Sequence, residues 1–116
     1  MNTKIIGDTL PAVICKLQKG ETVLTENGQM SWMDEGIAMK TSTNGGLMKG
    51  IGRAFAGESI FMNLYTAEKD DAEIAFASSF PGQILEMDLK EGETIVAQKR
   101  AFLCSDASVT LIVHIA

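Results

Sequence analysis

Residues 12–25 read AlaValIleCysLysLeuGlnLysGlyGluThrValLeuThr, and this stretch decides the fold. AlaValIleCysLysLeu at 12–17 is a short run rich in β-favouring residues. LysGlyGlu at 19–21 ends it, and ThrValLeuThr at 22–25 begins a second run. Two such runs, each too short for a stable helix and separated by a Gly-containing turn, read as β-strands. GluAsnGly at 26–28 stops the second.

The same grammar continues outward. Met30 and Trp32 alternate with Gln29, Ser31 and Met33, which is the period-two pattern of a half-buried strand. GlyIleAlaMetLysThrSer at 36–42, SerIlePheMetAsnLeuTyrThr at 59–66 and GluIleAlaPheAlaSer at 73–78 follow as further strands. Pro81-Gly82 marks a turn. In GlnIleLeuGluMetAspLeu at 83–89, Ile84, Glu86 and Asp88 face one way and Leu85, Met87 and Leu89 the other, so Leu85, Met87 and Leu89 are expected to be buried. ThrIleValAlaGln from 94, AlaPheLeuCysSer at 101–105 and the closing ValThrLeuIleValHisIleAla complete about nine short strands at the spacing of a sandwich or barrel.

One stretch departs from the pattern. In residues 44–57, Leu47, Met48, Ile51, Ala54 and Phe55 recur at helical spacing among five glycines. A short helical turn near 46–56 is expected, weakened because each interior Gly costs about 1 kcal/mol against Ala.

There is also an internal echo. Leu17-x-x-Gly20-Glu21-Thr22-Val23 returns 72 positions on as Leu89-x-x-Gly92-Glu93-Thr94-Ile95. One reading is a pseudo-repeat with its second copy barely begun. The other is that GlyGluThr is simply a good turn used twice.

Composition bounds the function. A chain of 116 residues is one domain, here 1–116, and can bury one core without staples. The net charge of −5 is repelled by phosphate backbones, so DNA is excluded as a general partner and RNA is disfavoured. No apolar stretch approaches the ~20 residues of a membrane-spanning helix. The start MetAsnThrLysIleIleGlyAsp lacks the apolar core of a signal peptide, so the cytoplasm is the expected compartment. Cys15 and Cys104 each sit in an apolar run and read as buried free thiols.

The motifs that carry chemistry elsewhere fail on inspection. Gly52 to Ser59 has the outline of a phosphate-binding loop, but Glu58 stands where that loop needs Lys. Gly50-x-Gly52 lacks the strand–helix setting of a dinucleotide site. His114 is the sole histidine, so no metal site and no metal cofactor is expected. Lys16 is the one basic residue adjacent to either Cys15 or Cys104, too little to mark an activated thiol. Glu21, Glu58, Glu73, Glu86, Asp88 and Glu93 fall at turns or on alternating faces; an acid–base pair among them is the lesser reading beside solvated surface. No catalytic residue and no cofactor-binding residue is assigned. Met30, Met33, Met39, Met48, Met62 and Met87 are many for a small β domain, and Met suits both irregular cores and adaptable surfaces. Trp32, Met48, Arg53, Phe55 and Glu58 are the candidate interaction surface.

Several of these strings resemble a known family. GlyGluThrVal at 20–23, AsnGlyGlnMetSerTrpMet at 27–33, GlyGly at 45–46 and ArgAlaPheAlaGlyGluSerIlePheMetAsn at 53–63 are similar to the altered-inheritance-of-mitochondria-twenty-four family. PheProGlyGlnIleLeuGluMetAspLeu at 80–89 and AlaPheLeuCysSer at 101–105 continue the likeness, which covers about residues 12–113. The resemblance implies a β-sandwich similar in fold to the tryptophan RNA-binding attenuation protein, and frequent homo-oligomers. It implies no catalytic residue set. The mitochondrial role of fungal members does not carry over, because an Arg- and Ser-rich transit peptide is absent from the sequence. Typical members are about twice this length. Either the chain is part of a longer two-repeat protein, or it is a short member that completes its sheets by oligomerising.

The expected architecture is therefore an all-β antiparallel sandwich with one short helical turn. The expected function is that of a non-enzymatic, self-associating scaffold or binding domain. A small-molecule or RNA-binding module, by analogy with the attenuation protein, is the alternative.

Overall fold

The computed structural model describes residues 1–7, 10–26, 29–42, 62–77, 82–97 and 101–109. Eight β-strands run through them: β1 (Asn2–Ile6), β2 (Ala12–Leu17), β3 (Thr22–Glu26), β4 (Met30–Met33), β5 (Ile37–Ser42), β6 (Met62–Ala67), β7 (Ala72–Ala77) and β8 (Cys104–Asp106). They form two four-stranded sheets, ordered β1-β2-β7-β4 and β5-β6-β3-β8, and every ladder is antiparallel. The all-β sandwich expected from strand spacing is the fold. The helical turn expected near 46–56 and the last apolar run at 110–116 lie outside the described residues.

Alternation decides which side chains make the core. On β2, Val13, Cys15 and Leu17 point inward; on β7, Ala72, Ile74 and Phe76 answer them in register, Val13 opposite Phe76 and Leu17 opposite Ala72. The facing sheet contributes Val23, Ile37, Tyr65 and Ala67 to the same cluster. The Tyr65 and Phe76 rings meet edge to face across the sandwich, with centroids 5.9 Å apart. Burying a side chain of this size stabilises the fold by about 1.5–3 kcal/mol. The second sheet also buries polar side chains: Thr41 Oγ1 donates to Asn63 Oδ1 at 3.0 Å, and Thr25 Oγ1 donates to the Leu103 carbonyl at 2.6 Å. These bonds satisfy groups that would otherwise be desolvated at a cost.

The chain crosses between sheets by turns, and three of these turns gather at one end. They join β2 to β3, β4 to β5 and β6 to β7. Gly20 N–H donates to the Ala67 carbonyl at 2.8 Å, Ala67 N–H to the Glu21 carbonyl at 3.0 Å, and Glu68 N–H to the Gly36 carbonyl at 2.8 Å. Gly20 and Gly36 take φ of +90° and +92°, a region that side chains with a Cβ disfavour. A Cβ at Gly36 would also meet the Lys69 side chain at 3.0 Å.

Three expectations need correction. Residues 83–89 and 94–97 are in no ladder with the described strands, and Leu85, Met87 and Leu89 are exposed rather than buried. Alternation fixes which side a residue points to, but burial needs a partner strand and a facing sheet, and the described strands supply neither to these residues. Ile84, assigned to the other face, is the one that packs against the core. The strand expected at 101–105 forms at Cys104–Asp106, where it pairs with β3. Conversely, β1 carries no strong strand signal, with polar Asn2, Thr3 and Lys4 in a five-residue run. It forms because β2 offers an open edge, with Thr3 in register with Cys15 and Ile5 with Val13.

Candidate interaction surface

The echoed turn closes in the same way at 18–21 and at 90–93. At the first copy, Glu21 N–H donates to the Gln18 carbonyl at 2.9 Å, while Gln18 N–H donates back to Glu21 Oε1 at 2.7 Å. At the second, Glu93 N–H donates to the Lys90 carbonyl at 2.9 Å and Lys90 N–H to Glu93 Oε1 at 2.6 Å. The glycine between them has φ of +90° in one and +86° in the other. The Glu side chain closes the turn over its own loop, and the Gly supplies the left-handed residue. The sequence echo is thus also an echo of local structure.

The two copies differ in what covers them. The first turn is clasped by its neighbours: Lys19 N–H donates to Asp70 Oδ1 at 3.0 Å, and Gln18 Nε2 to Asp71 Oδ1 at 3.0 Å. The Met1 ammonium sits 2.9 Å from Glu21 Oε2. The Gln18 N–H and then this ammonium hold the Glu21 carboxyl below the usual range, and Glu21 in turn raises the ammonium. The arms of this turn, β2 and β3, carry Val13, Cys15, Leu17, Val23 and Leu24, all buried. The positions 72 residues on are Leu85, Met87, Leu89, Ile95 and Val96, exposed at 72%, 57%, 37%, 47% and 72%. Residues 83–97 therefore form an arm with the apolar pattern of a core unit and no ladder to the described strands. Glu86, Asp88, Glu91 and Glu93 flank it, with Lys90 the cation among them. An apolar strip rimmed by charge is the composition of an association surface.

Of the residues singled out from sequence, Trp32 is described and Met48, Arg53, Phe55 and Glu58 lie outside the described residues. Trp32 sits on β4, the edge strand of its sheet, in register with Ala75, just past a bulge between Met30 and Trp32. Trp32 is 42% exposed, and Met33, next in sequence, is also exposed. An exposed edge strand with a half-exposed Trp offers both backbone pairing and an apolar anchor. The arm residues were missed as surface because their alternation reads as core; the correspondence with residues 13–24 is the signal that marks them as a unit.

The remaining features offer little chemistry. A shallow depression of about 330 Å³ is lined by Ile5, Gly7, Pro11, Gly82, Gln83 and Ile84, none of them an acid, base or nucleophile. Among the described residues no cluster of His, Cys, Asp and Glu is arranged to hold a metal ion. No helix among them is long and apolar enough to cross a membrane.

Comparison with known proteins agrees with the sequence resemblance. The family described as mitochondrial biogenesis AIM24 matches residues 3–116. An uncharacterised protein of Streptococcus pyogenes serotype M6 is 33% identical over 105 residues, which are 84% of this chain and 42% of that protein. A crystal structure of a Streptococcus pyogenes protein, determined in a structural genomics programme, superposes with a TM-score of 0.66 at 28% identity. The match takes in 92% of this chain and 50% of that one. The chain thus spans about half the length of these relatives.

Proposed function

The chain belongs to the mitochondrial biogenesis AIM24 family, and we propose that it works as a non-enzymatic, self-associating binding domain whose association surface is the arm at 83–97. One observation carries this reading: five apolar positions equivalent to buried core positions are exposed together on the arm. Covering them removes apolar surface from water at about 25 cal/mol per Å². The half-exposed Trp32 on β4, the edge strand of its sheet among the described residues, adds a second anchor. A fold similar to the tryptophan RNA-binding attenuation protein belongs to the same proposal, supported by the two antiparallel sheets. So does a cytoplasmic location, supported by two thiols that stand free rather than bridged. The net charge of −5 weighs against phosphate backbones as the bound partner.

Light scattering at micromolar concentration tests the reading. The wild-type protein is expected to give an oligomer whose interface exceeds roughly 1,000 Å² of total buried area. Replacing Leu85 and Met87 together by Asp, on positions already exposed, is expected to return the protomer mass with the β circular dichroism unchanged. A protomer mass for the wild type would overturn self-association.

A further inference from the structure

The 72-residue echo runs on past its turn. With Gly20 matched to Gly92, Met30 corresponds to Phe102 and Asp34 to Asp106, so β8 is the second copy of β4. The two strands nevertheless pair differently. β4 pairs with β7 inside the first unit, which runs from β2 to β7. β8 belongs to the second unit and pairs with β3 of the first: Val23 opposite Asp106, Leu24 opposite Ser105 and Thr25 opposite Cys104. The β3–β8 ladder is therefore a contact between one unit and the next. The second copy of β3 begins with residues 94–97, and none of the described strands pairs with them. β4, a strand of the type that β3 accepts, pairs with β7 and, among the described residues, with nothing along its other edge.

We propose that residues 94–97 of one copy add as a strand to the outer edge of β4 in a second copy, continuing between chains the contact that β3 and β8 make within one. This rests on the arm being the association surface, and it names the arm's partner. Carrying the internal register over by 72 sets Ile95 opposite Asp34, Val96 opposite Met33 and Ala97 opposite Trp32. The backbone groups match this register. In the internal ladder Ala107 N–H donates to the Thr22 carbonyl at 3.1 Å, so Leu24 and Ser105, two residues on, also turn their backbone groups to that ladder. Their counterparts are Val96 and Met33. Asp34 N–H donates to the Glu73 carbonyl of β7 at 2.8 Å, so Met33, its neighbour, turns its N–H and carbonyl to the outer edge. The side chains match as well. Val96 and Met33, exposed at 72% and 38%, come together on one face, and Trp32, exposed at 42%, lies with Ala97 on the other.

The strip comes from another copy because its own chain holds it on the wrong side. The short turns from β2 to β3, β4 to β5 and β6 to β7 stack those strands in pairs, so β4 and β5 form one side of the sandwich and β1 and β8 the other. The arm is tethered on the β1–β8 side at both ends: Ile84 shares a depression with Ile5 and Pro11, and β8 follows at Cys104. β4 lies three strand spacings from β1, about 14 Å, with β2 and β7 between them. Each copy thus carries both halves of the contact on opposite sides, which makes the interface head-to-tail.

The test purifies Met33→Cys and Val96→Cys separately, mixes them at micromolar concentration and oxidises the mixture with oxidised glutathione. Opposed residues of an antiparallel ladder hold their Cα atoms about 4.5–5.5 Å apart, within disulfide reach. The mixture should give a two-chain product whose peptide map joins positions 33 and 96, and neither variant alone should give it. Met33→Cys mixed with Ala97→Cys should bridge about fivefold less or lower still, because position 97 points to the other face. An oligomer by light scattering that yields no 33–96 bridge would overturn this ladder while the arm stands as an association surface; a protomer mass would overturn both. Should a variant not fold, wild-type amide exchange decides. The Met33 and Val96 amides should exchange about tenfold slower in assembled than in dilute protein, and equal rates would overturn the ladder.

Discussion

Leu17→Ala and Leu89→Ala form a matched pair, the same change at equivalent positions of the two echoed units. Leu17 is fully enclosed between β7 and the facing sheet. Losing its three outer carbons forfeits roughly 2.4 kcal/mol of transfer free energy, and the cavity left behind raises the cost to about 3–4 kcal/mol. Leu89 is 37% exposed, and none of the described strands pairs beside it. Its replacement leaves no closed cavity and should cost about 1 kcal/mol or less in the isolated protomer. Urea unfolding followed by circular dichroism, at a concentration below that of assembly, measures both. In a domain of this size the Leu17 variant should also melt about 12 °C or more below wild type. At higher concentration the Leu89 variant should gain a second defect, weaker assembly, which the Leu17 variant lacks. A Leu89→Ala cost equal to that of Leu17→Ala in the protomer would refute the reasoning, because it would place the arm in a packed interior.

Thr25→Val keeps the shape of a buried side chain and removes the 2.6 Å bond to the Leu103 carbonyl. It should cost about 1–3 kcal/mol, since the carbonyl loses its partner, and amide exchange at 104–106 should quicken. Glu21→Gln tests the clasp at the first turn. The depressed Glu21 carboxyl contributes stability that is present above about pH 4.3 and lost as pH falls through its folded value. The raised Met1 ammonium contributes stability that is present below about pH 8 and lost as pH rises through its folded value. Both limbs should flatten in the variant; stability–pH curves that superpose on wild type would show that the clasp does not form in solution.

Much of the sandwich is determined by local sequence. The run at 12–17 is β2 to the residue, and the turn and strand that follow it are where Gly20 and the ThrValLeuThr run put them, because period, β-branching and a left-handed glycine act within a few residues. The turn at 90–93 closes on itself in the same way and needs no tertiary partner. Three things were decided by the tertiary structure alone. β1 is a strand only because β2 has an open edge to pair with. Cys15 and Cys104 share one core cluster only because the chain places β2 and β8 in opposite sheets over it, which separation along the sequence hides. And Leu85, Met87 and Leu89 carry the same alternation as Val13, Cys15 and Leu17 yet stand exposed. Alternation is a property of one strand, whereas burial requires a second strand beside it and a second sheet above it.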